Sequence, residues 1–298
     1  MIFGFDQGIQ VRLHVPVLPC ALYVVATPIG NLQDISPRAL EVLRNVDLIL
    51  AEDTRHSAHL LGHFGIDTPV RSFHEHNERK ATADMISRLR EGASLALISD
   101  AGTPVISDPG YPLICAAHAN GCRVIPVPGP CALICALSVS GIATERFVFE
   151  GFLPARRAAR TRRLQELAQE DRTQIFYEAP HRICRLIEDL VQSHGSQRTA
   201  TLAKELTKVH ETVYKGDLKT LYKWLAGDEQ RLKGEFVLVV EGATAPVPED
   251  HEIERVLDIL LDHMSVRKAV TVAATILQEP RNKIYKLAIK RRPGLPDA

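Results

Sequence analysis

The sequence of 298 residues has no excess of charge of either sign, few aromatic residues and no long hydrophobic run. Lys plus Arg and Asp plus Glu each number 36, and aromatic residues make up 5% of the chain. Because the charges balance, any affinity for nucleic acid must come from local clusters. No apolar run approaches the roughly 20 residues of a membrane span, and the N terminus lacks the basic start of a signal peptide. We therefore expect a cytoplasmic protein that does not interact with a membrane.

Common metal and nucleotide motifs are also missing. The six cysteines form no C-x-x-C pair, which argues against a zinc knuckle and against a disulfide framework. The glycine-containing loops match neither a Walker A loop nor the G-x-G-x-x-G fingerprint, so triphosphate and nicotinamide cofactors are not indicated. His56, His59 and His63 have helical spacing, but no carboxylate in that run completes a site. We therefore predict no metal centre.

Two α/β domains are predicted from the alternation of apolar runs and helical patterns. In residues 21–145, short β-branched runs alternate with helices, which is typical of a mostly parallel sheet. In residues 146–243, the strands near 198–203 and 209–215 follow each other without a helix, which predicts a mixed sheet. The run 147–154 between the two domains is interpreted as a hinge.

The chain ends are predicted to lie outside these two domains. Residues 1–20 show no clear period and are assigned to an N-terminal extension. A proline-containing linker at 245–250 precedes three short helical patterns, which predict a small helical C-terminal module over 251–292. The predicted fold class is therefore α/β with two domains and an added helical module.

A ligand site is expected at the carboxyl edge of the first sheet, where open parallel sheets bind their ligands. The loops that follow the predicted strands near 21–27, 94–98 and 122–127 each combine glycine with proline. This combination gives tight turns with free backbone N–H groups. Singly, each loop is typical of an ordinary strand-to-helix turn, but three at one edge favour a small-molecule site. The loops are Thr27–Asp34, Ser99–Pro104 and Pro126–Pro130.

Ordered motifs over residues 21–243 resemble the tetrapyrrole methylase superfamily and, within it, the ribosomal RNA small-subunit methyltransferase I family. The Gly102-Thr103-Pro104 motif, where porphyrin-type members usually carry Gly-Asp-Pro, favours the RNA branch. The motifs are Thr27-Pro28-Ile29-Gly30-Asn31-Leu32, Ala51-Glu52-Asp53-Thr54-Arg55, His74-Glu75-His76-Asn77-Glu78, Ser99-Asp100-Ala101-Gly102-Thr103-Pro104, Asp108-Pro109-Gly110-Tyr111, Pro128-Gly129-Pro130-Cys131-Ala132, Glu150-Gly151-Phe152-Leu153-Pro154, Phe176-Tyr177-Glu178 with His181-Arg182, and Lys204-Glu205-Leu206-Thr207-Lys208.

The resemblance implies a tetrapyrrole-methylase-like fold that binds S-adenosylmethionine in a cleft between its two domains. It also implies a homodimer that methylates the ribose 2′-hydroxyl of a cytidine in 16S rRNA, in the 30S ribosomal subunit. The residues expected to bind the cofactor lie in the three loops, within two residues after the second and third loops, and on one predicted strand of the second domain. They are Gly30, Asp100, Gly102, Thr103, Pro104, Ile106, Pro128, Gly129, Pro130, Cys131, Ala132 and Tyr177.

A ribose hydroxyl is a weak nucleophile near neutral pH, so a nearby base is expected to accept its proton. The sequence does not rank the candidates. Asp53 and Asp108 also precede predicted helices and are equally well interpreted as N-caps. The candidate catalytic residues are Asp53, His76, Asp100, Asp108, Glu178 and Lys204.

Local clusters of basic residues are the candidate RNA-binding elements. Five arginines follow the predicted hinge, and residues 264–292 carry eight positive charges against Glu279 alone. Both clusters are suited to phosphate contacts, although a solvated helix face is the alternative interpretation of the first. The candidates are Arg55, Arg156, Arg157, Arg160, Arg162, Arg163, Arg182, Lys283, Lys286 and Lys290.

Two other functions remain open from the sequence. A C-methyltransferase of a corrin precursor would share the fold and the cofactor but would not need the basic clusters. A non-catalytic RNA-binding or ribosome-assembly protein would keep the fold without binding S-adenosylmethionine. Cofactor binding and the methylated product separate the three possibilities.

Overall fold

A computed structural model describes residues 18–243, 250–277 and 279–291. The chain divides into two compact units, residues 1–243 and 244–298. Most of the predicted N-terminal extension and of the predicted linker lies outside the described residues. Within the first unit, the predicted boundary at 145–146 falls between two sheets.

The first sheet consists of five parallel strands, as predicted. Their order is β3-β2-β4-β1-β5, and alternate side chains pack into separate cores on the two faces, so that Ile49 and Leu50 point to opposite sides. Burial on both faces explains why the three central strands β1, β2 and β4 are continuous apolar runs. The strands are Leu22–Val25 (β1), Leu48–Ala51 (β2), Val70–Ser72 (β3), Leu95–Ile98 (β4) and Val124–Val127 (β5), and the helices are Pro37–Asn45 (α1), Thr54–His63 (α2), Glu78–Arg90 (α3), Tyr111–Ala119 (α4) and Ala132–Val139 (α5).

The second sheet is mixed, also as predicted, with the order β6-β7-β10-β8-β9. Only β6 and β7 run parallel, and the other neighbours are antiparallel. The strands are Phe147–Phe152 (β6), Thr173–Glu178 (β7), Thr199–Lys204 (β8), Thr212–Asp217 (β9) and Phe236–Val240 (β10), and the helices are Arg157–Leu167 (α6), Ile183–His194 (α7) and Leu218–Ala226 (α8).

The interpretation of 147–154 as a hinge was wrong, because Phe147–Phe152 is strand β6. The β6–β7 register shifts between Phe149 and Gly151, which marks a β-bulge. A bulge inserts one residue and breaks the alternation of side chains that identifies a strand in a sequence.

Asp53 and Asp108, which the sequence left as either catalytic residues or helix N-caps, have different positions in the structure. Asp53 caps α2, accepting hydrogen bonds from the backbone N–H groups of Arg55 at 2.8 Å and His56 at 3.4 Å. Helix α4 begins at Tyr111 and not at Pro109, and its N-cap is Gly110. The Gly110 N–H donates to the Glu78 carboxylate at 3.0 Å, so Asp108 does not cap this helix.

The described part of the second unit is helical, in agreement with the predicted C-terminal module. Its helices are Asp250–Leu261 (α9), Val266–Leu277 (α10) and Arg281–Arg291 (α11). Apolar side chains from all three, including Leu257, Ala273 and Ile284, form a core within the unit. Among the described residues of the whole chain, no helix is long and apolar enough to span a membrane.

Candidate functional site

The three glycine- and proline-containing loops meet at the carboxyl edge of the first sheet. Thr27 and Gly102 exchange backbone hydrogen bonds of 2.9 and 3.1 Å, which join the first loop to the loop after β4. The Thr103 hydroxyl donates to the Pro130 carbonyl at 2.9 Å, which joins the loop after β4 to the loop after β5. These contacts fix the three loops relative to one another.

A cleft of about 370 Å³ lies where these loops face the second sheet. Its volume falls within the range of small-molecule sites. The predicted site residues that line it are Gly102, Thr103, Ile106, Asp108, Cys131, Ala132, Tyr177 and Glu178. Ile29 and Ala101 also line it, from the predicted loops, although they were not among the predicted site residues. The remaining lining residues, also outside that prediction, are Ser107, Phe152, Ala179, Pro180, Ala203, Leu206, Glu235, Phe236 and Val237.

The other predicted cofactor residues do not line the cleft. A Cβ atom on Gly30 would lie 2.4 Å from the Lys208 side chain, and one on Gly129 would lie 2.9 Å from Ala26, so both glycines allow close chain packing. Asp100 accepts a hydrogen bond from the Asp53 N–H at 3.1 Å. Like Pro130, these residues support the loops around the cleft. Pro104 and Pro128 also lie outside the lining.

Tyr177 reaches the cleft from strand β7. Its hydroxyl oxygen accepts a hydrogen bond from the Leu133 N–H at 3.0 Å, in the first turn of α5. Burial is the main cause that raises the pKa of Tyr177, so its hydroxyl stays protonated at neutral pH. The rings of Phe149 and Phe152 meet it edge-on, with centroid distances of 4.9 and 5.6 Å. The tyrosine is therefore held in one orientation.

The loop that carries Asp108 has an unusual backbone. Val105 and Ser107 adopt positive φ angles of 74° and 71°. This region is sparsely populated by residues other than glycine, and a β-branched residue is rare there. The strained residues Val105 and Ser107 lie between Gly102, which is hydrogen-bonded to the Thr27 backbone, and Gly110. These anchors hold the loop in the conformation that places Asp108 at the cleft.

The Asp108 carboxyl group titrates near neutral pH. Partial burial is the main cause that raises the pKa of Asp108 to about 7, and the neighbouring Glu52 carboxylate adds to the effect. Burial also raises the pKa of Glu52, and the nearby carboxylate of Asp100 adds to this effect. Asp108 is thus a group at the cleft that can accept and release a proton under physiological conditions.

The other catalytic candidates have different surroundings. The Asp53 carboxylate is engaged in capping α2, and exposed His76 contacts His74 edge-on at a centroid distance of 5.8 Å. The buried Lys204 ammonium donates to the Gln230 carbonyl at 2.9 Å. None of these candidates lines the cleft.

Glu178 does line the cleft, but a cation already neutralises it. Its carboxylate lies 3.0 Å from Nε of Arg182, and its side chain is 1% exposed. Arg182 also donates to the Leu153 carbonyl at 2.6 Å. Both partners are held inside the fold, so Glu178 takes part in an ion pair at the edge of the cleft.

The predicted cluster of five arginines is divided between the interior and the surface. Arg160 is 5% exposed at its side chain and bonds to the buried Asp189 at 2.8 Å. Arg163 pairs with Glu150 through two hydrogen bonds of 2.9 and 3.0 Å. The expectation that Arg160 contacts phosphate is therefore corrected, because its charge is used inside the fold. The expectation that Arg182 contacts RNA is corrected too, because this side chain pairs with Glu178 and donates to the Leu153 carbonyl inside the fold.

The remaining basic candidates are solvent-exposed. Arg156, Arg157 and Arg162 lie on or next to the outer face of α6. Arg157 is 69% exposed at its side chain, and its Nε also lies 3.3 Å from the Asp189 carboxylate. Arg55 is 91% exposed, beside Asp53. We call Arg156, Arg157 and Arg162 the α6 basic surface.

The candidate lysines of the second unit lie on α11. Lys283 is paired with Glu279 at 3.0 Å and Lys286 is exposed, whereas the side chain of Lys290 lies outside the described residues. Within the ranges that the structure covers, no group of three or more His, Cys, Asp or Glu residues is arranged to hold a metal ion.

Comparisons with known proteins match nearly the whole chain. Residues 21–222 match the family described as Tetrapyrrole (Corrin/Porphyrin) Methylases, and residues 247–292 match the RsmI C-terminal HTH domain. The structure resembles that of uroporphyrin-III C-methyltransferase from Thermus thermophilus complexed with S-adenyl homocysteine. That match has a TM-score of 0.52 at 14% identity, covers 74% of this chain and 97% of that chain, and shows the shared fold.

Closer relatives are ribosomal RNA small subunit methyltransferases I. The protein of that name from Pseudomonas aeruginosa is 53% identical over 274 residues, which cover 91% of this chain and 97% of the relative. The protein from Xylella fastidiosa is also 53% identical, over 268 residues that cover 90% of this chain and 98% of the relative. With this identity over at least 90% of each chain, the protein belongs to the ribosomal RNA small subunit methyltransferase I family of the tetrapyrrole methylases.

Proposed function

We propose that this protein transfers a methyl group from S-adenosylmethionine to the ribose 2′-hydroxyl of a cytidine in 16S rRNA. The observation that carries this proposal is the position of Asp108, a carboxyl group with a pKa of about 7, in a cleft built from the loops predicted to bind the cofactor. Family membership supports the reaction class and the RNA substrate.

The cleft suits S-adenosylmethionine in size and lining. Gly102 has a φ of 85°, and a Cβ atom there would lie 3.2 Å from the Ile29 side chain, so the absence of a side chain keeps this wall open. Gly102, Thr103 and Ala132 would hold the cofactor on one side, and Tyr177 on the other. When bound, the cofactor supplies an electrophilic methyl group on a sulfonium.

The protein then has to position the 2′-hydroxyl and remove its proton. Alignment of the oxygen with the methyl carbon accounts for about 7 to 11 kcal/mol of barrier reduction in ideal cases. The Asp108 carboxylate would accept the proton that the 2′-hydroxyl loses when it takes up the methyl group, and S-adenosylhomocysteine would leave. Because its pKa lies near the operating pH, Asp108 is both ionised often enough and basic enough for this step.

RNA binding is assigned to the α6 basic surface, Arg55 and the basic segment 264–292 of the second unit. Exposed arginines contact phosphates and give affinity that depends on salt concentration. A single target cytidine in a structured RNA favours the assembled 30S subunit as substrate, and with it a cytoplasmic location. We also propose the homodimer that the family resemblance implies, which light scattering of the purified protein tests.

The test is methyl transfer from labelled S-adenosylmethionine to 30S subunits that lack the modification. Free 16S rRNA and a corrin precursor serve as parallel substrates, and mass spectrometry maps the product. We expect 2′-O-methylcytidine on the particle. Label on the corrin would favour the tetrapyrrole branch instead, and cofactor binding without transfer to any substrate would contradict the proposal.

A further inference from the structure

Phe152 is an exposed aromatic side chain in the wall of the cleft. It lies at the end of β6 and is 56% exposed, although a phenylalanine in a sheet usually packs into a core. One edge of its ring meets Tyr177, at a centroid distance of 5.6 Å. Much of the ring therefore faces solvent at a ligand site.

The bulge in β6 gives Phe152 this orientation. Phe149 pairs in register with Ile175, and Phe152 pairs with Tyr177, so the two phenylalanines share one face of the sheet although they are three residues apart. In a regular strand, residues three apart point to opposite faces. Bulges occur next to active sites, where they redirect a side chain.

The same bulge brings Phe152 next to the loop of the proposed base. Gly151 has a φ of 61°, and a Cβ atom there would lie 3.2 Å from the Ser107 hydroxyl oxygen. Ser107 directly precedes Asp108, and all of Ser107, Asp108 and Phe152 line the cleft. A nucleotide whose 2′-hydroxyl meets Asp108 would therefore have this ring close to it.

Two exposed arginines follow Phe152 closely in the sequence. Four residues separate it from the start of α6, where Arg156 and Arg157 are exposed. Exposed aromatic rings and exposed arginines on the same segment are common in RNA-binding sites, in which bases stack on rings and cations contact phosphates.

We infer that Phe152 is the platform on which the base of the target nucleotide stacks while its ribose is methylated. This inference rests on the proposed function. When an enzyme draws a nucleotide out of folded RNA, stacking of its base on a protein ring replaces part of the lost base stacking. Phe152 is thus a positioning residue that acts on the base and does not touch the transferred methyl group.

The inference is tested by comparing Phe152→Ala, Phe152→Leu and Phe152→Trp in the full chain. Stacking predicts that kcat/KM for 30S subunits falls about 5- to 100-fold in the Ala variant, in line with alanine substitution at other base-stacking residues. The Leu variant keeps an apolar side chain without a ring and should stay defective, whereas the Trp variant should retain activity. The affinity for S-adenosylmethionine, measured by calorimetry, should stay within about twofold of wild type in all three.

Phe147→Ala is the matched control. Phe147 lies at the other end of the same strand, is 37% exposed and does not line the cleft, so its replacement should leave kcat/KM unchanged. Equal activity of the Leu and Trp variants would overturn the inference, as would a loss of cofactor affinity that matches the loss of activity. If the wild-type protein transfers no methyl group to RNA while it binds the cofactor, the proposed function itself fails, and the inference fails with it.

Discussion

At the scale of single residues, Asp108 combines a catalytic advantage with a cost in stability. A carboxyl group that is partly buried beside other acids is harder to ionise, and for that reason it titrates near pH 7. The folded state therefore holds this proton more tightly than the unfolded chain, where an aspartate has a pKa near 3.9. Such a group lowers the stability of the fold as the pH rises from about 4 through 7.

Replacement of Asp108 by Asn is predicted to separate these two effects. The variant has no base at this position, so methyl transfer to 30S subunits should fall about 100- to 10,000-fold, the usual range for loss of a general base. In the wild-type protein, kcat/KM should decrease as the pH is lowered through about 7, because protonated Asp108 accepts no proton.

The same substitution should lower activity but raise the thermal stability of the fold. Asp108→Asn should unfold at a higher temperature than the wild type at pH 8, with a smaller difference at pH 5, where the wild-type carboxyl is protonated in the folded state. Calorimetric unfolding at both pH values measures this. Glu52→Gln serves as the control, since it removes a neighbouring charge but leaves the base. A variant of Asp108 with wild-type activity would exclude it as the base.

The sequence indicated the loop residues of the cleft better than the strand residues. Gly102 and Thr103 belong to a loop with turn chemistry at the carboxyl end of a strand, which is a signal that a sequence carries. Ala203 and Val237 line the same cleft from β8 and β10, but in sequence they are ordinary apolar strand residues. Only the packing of the two sheets shows that these strands border the cleft.

At the scale of secondary-structure elements, helix α6 shows why the charge of a segment does not define its function. Its arginines have similar spacing in the sequence, yet Arg160 pairs with Asp189 in the interior while Arg162 is exposed. The sequence could not distinguish them, because the acidic partner lies on α7. The same limit applies to β6, whose bulge obscured the alternation of a strand.

The division of α6 leads to a prediction about RNA binding. The double variant Arg156→Ala/Arg162→Ala should weaken binding to 30S subunits and reduce the slope of log affinity against log salt by up to about 2, roughly one per phosphate contact. Its unfolding temperature and its affinity for S-adenosylmethionine should not change, because both side chains are exposed and outside the cleft.

A pair of exposed cations, Lys219 and Lys223, lies on α8. The variant Lys219→Ala/Lys223→Ala removes the same charge from another helix, so it should alter the salt dependence much less. Filter binding over a series of salt concentrations compares the two. Identical slopes for the two double variants would mean that α6 has no specific role in binding RNA.

At the scale of the whole molecule, the first unit contains the cleft and the second unit contains the basic segment 264–292. Every residue that lines the cleft lies within the first unit, between Ile29 and Val237. The second unit has its own apolar core from α9, α10 and α11 and contains the basic segment 264–292. Each unit therefore has the packing that an independently folding domain requires.

A fragment of residues 1–243 is accordingly predicted to fold and to bind S-adenosylmethionine with an affinity within about twofold of the full chain. Its affinity for 30S subunits should be lower and less dependent on salt, because the eight Lys and Arg residues of segment 264–292, which are suited to phosphate contacts, have been removed. Calorimetry with the cofactor and filter binding with 30S subunits measure the two properties on the same preparation. Full affinity of the fragment for 30S subunits would show that the first unit alone recognises the RNA. Loss of cofactor binding by a folded fragment would show instead that the second unit supports the cleft.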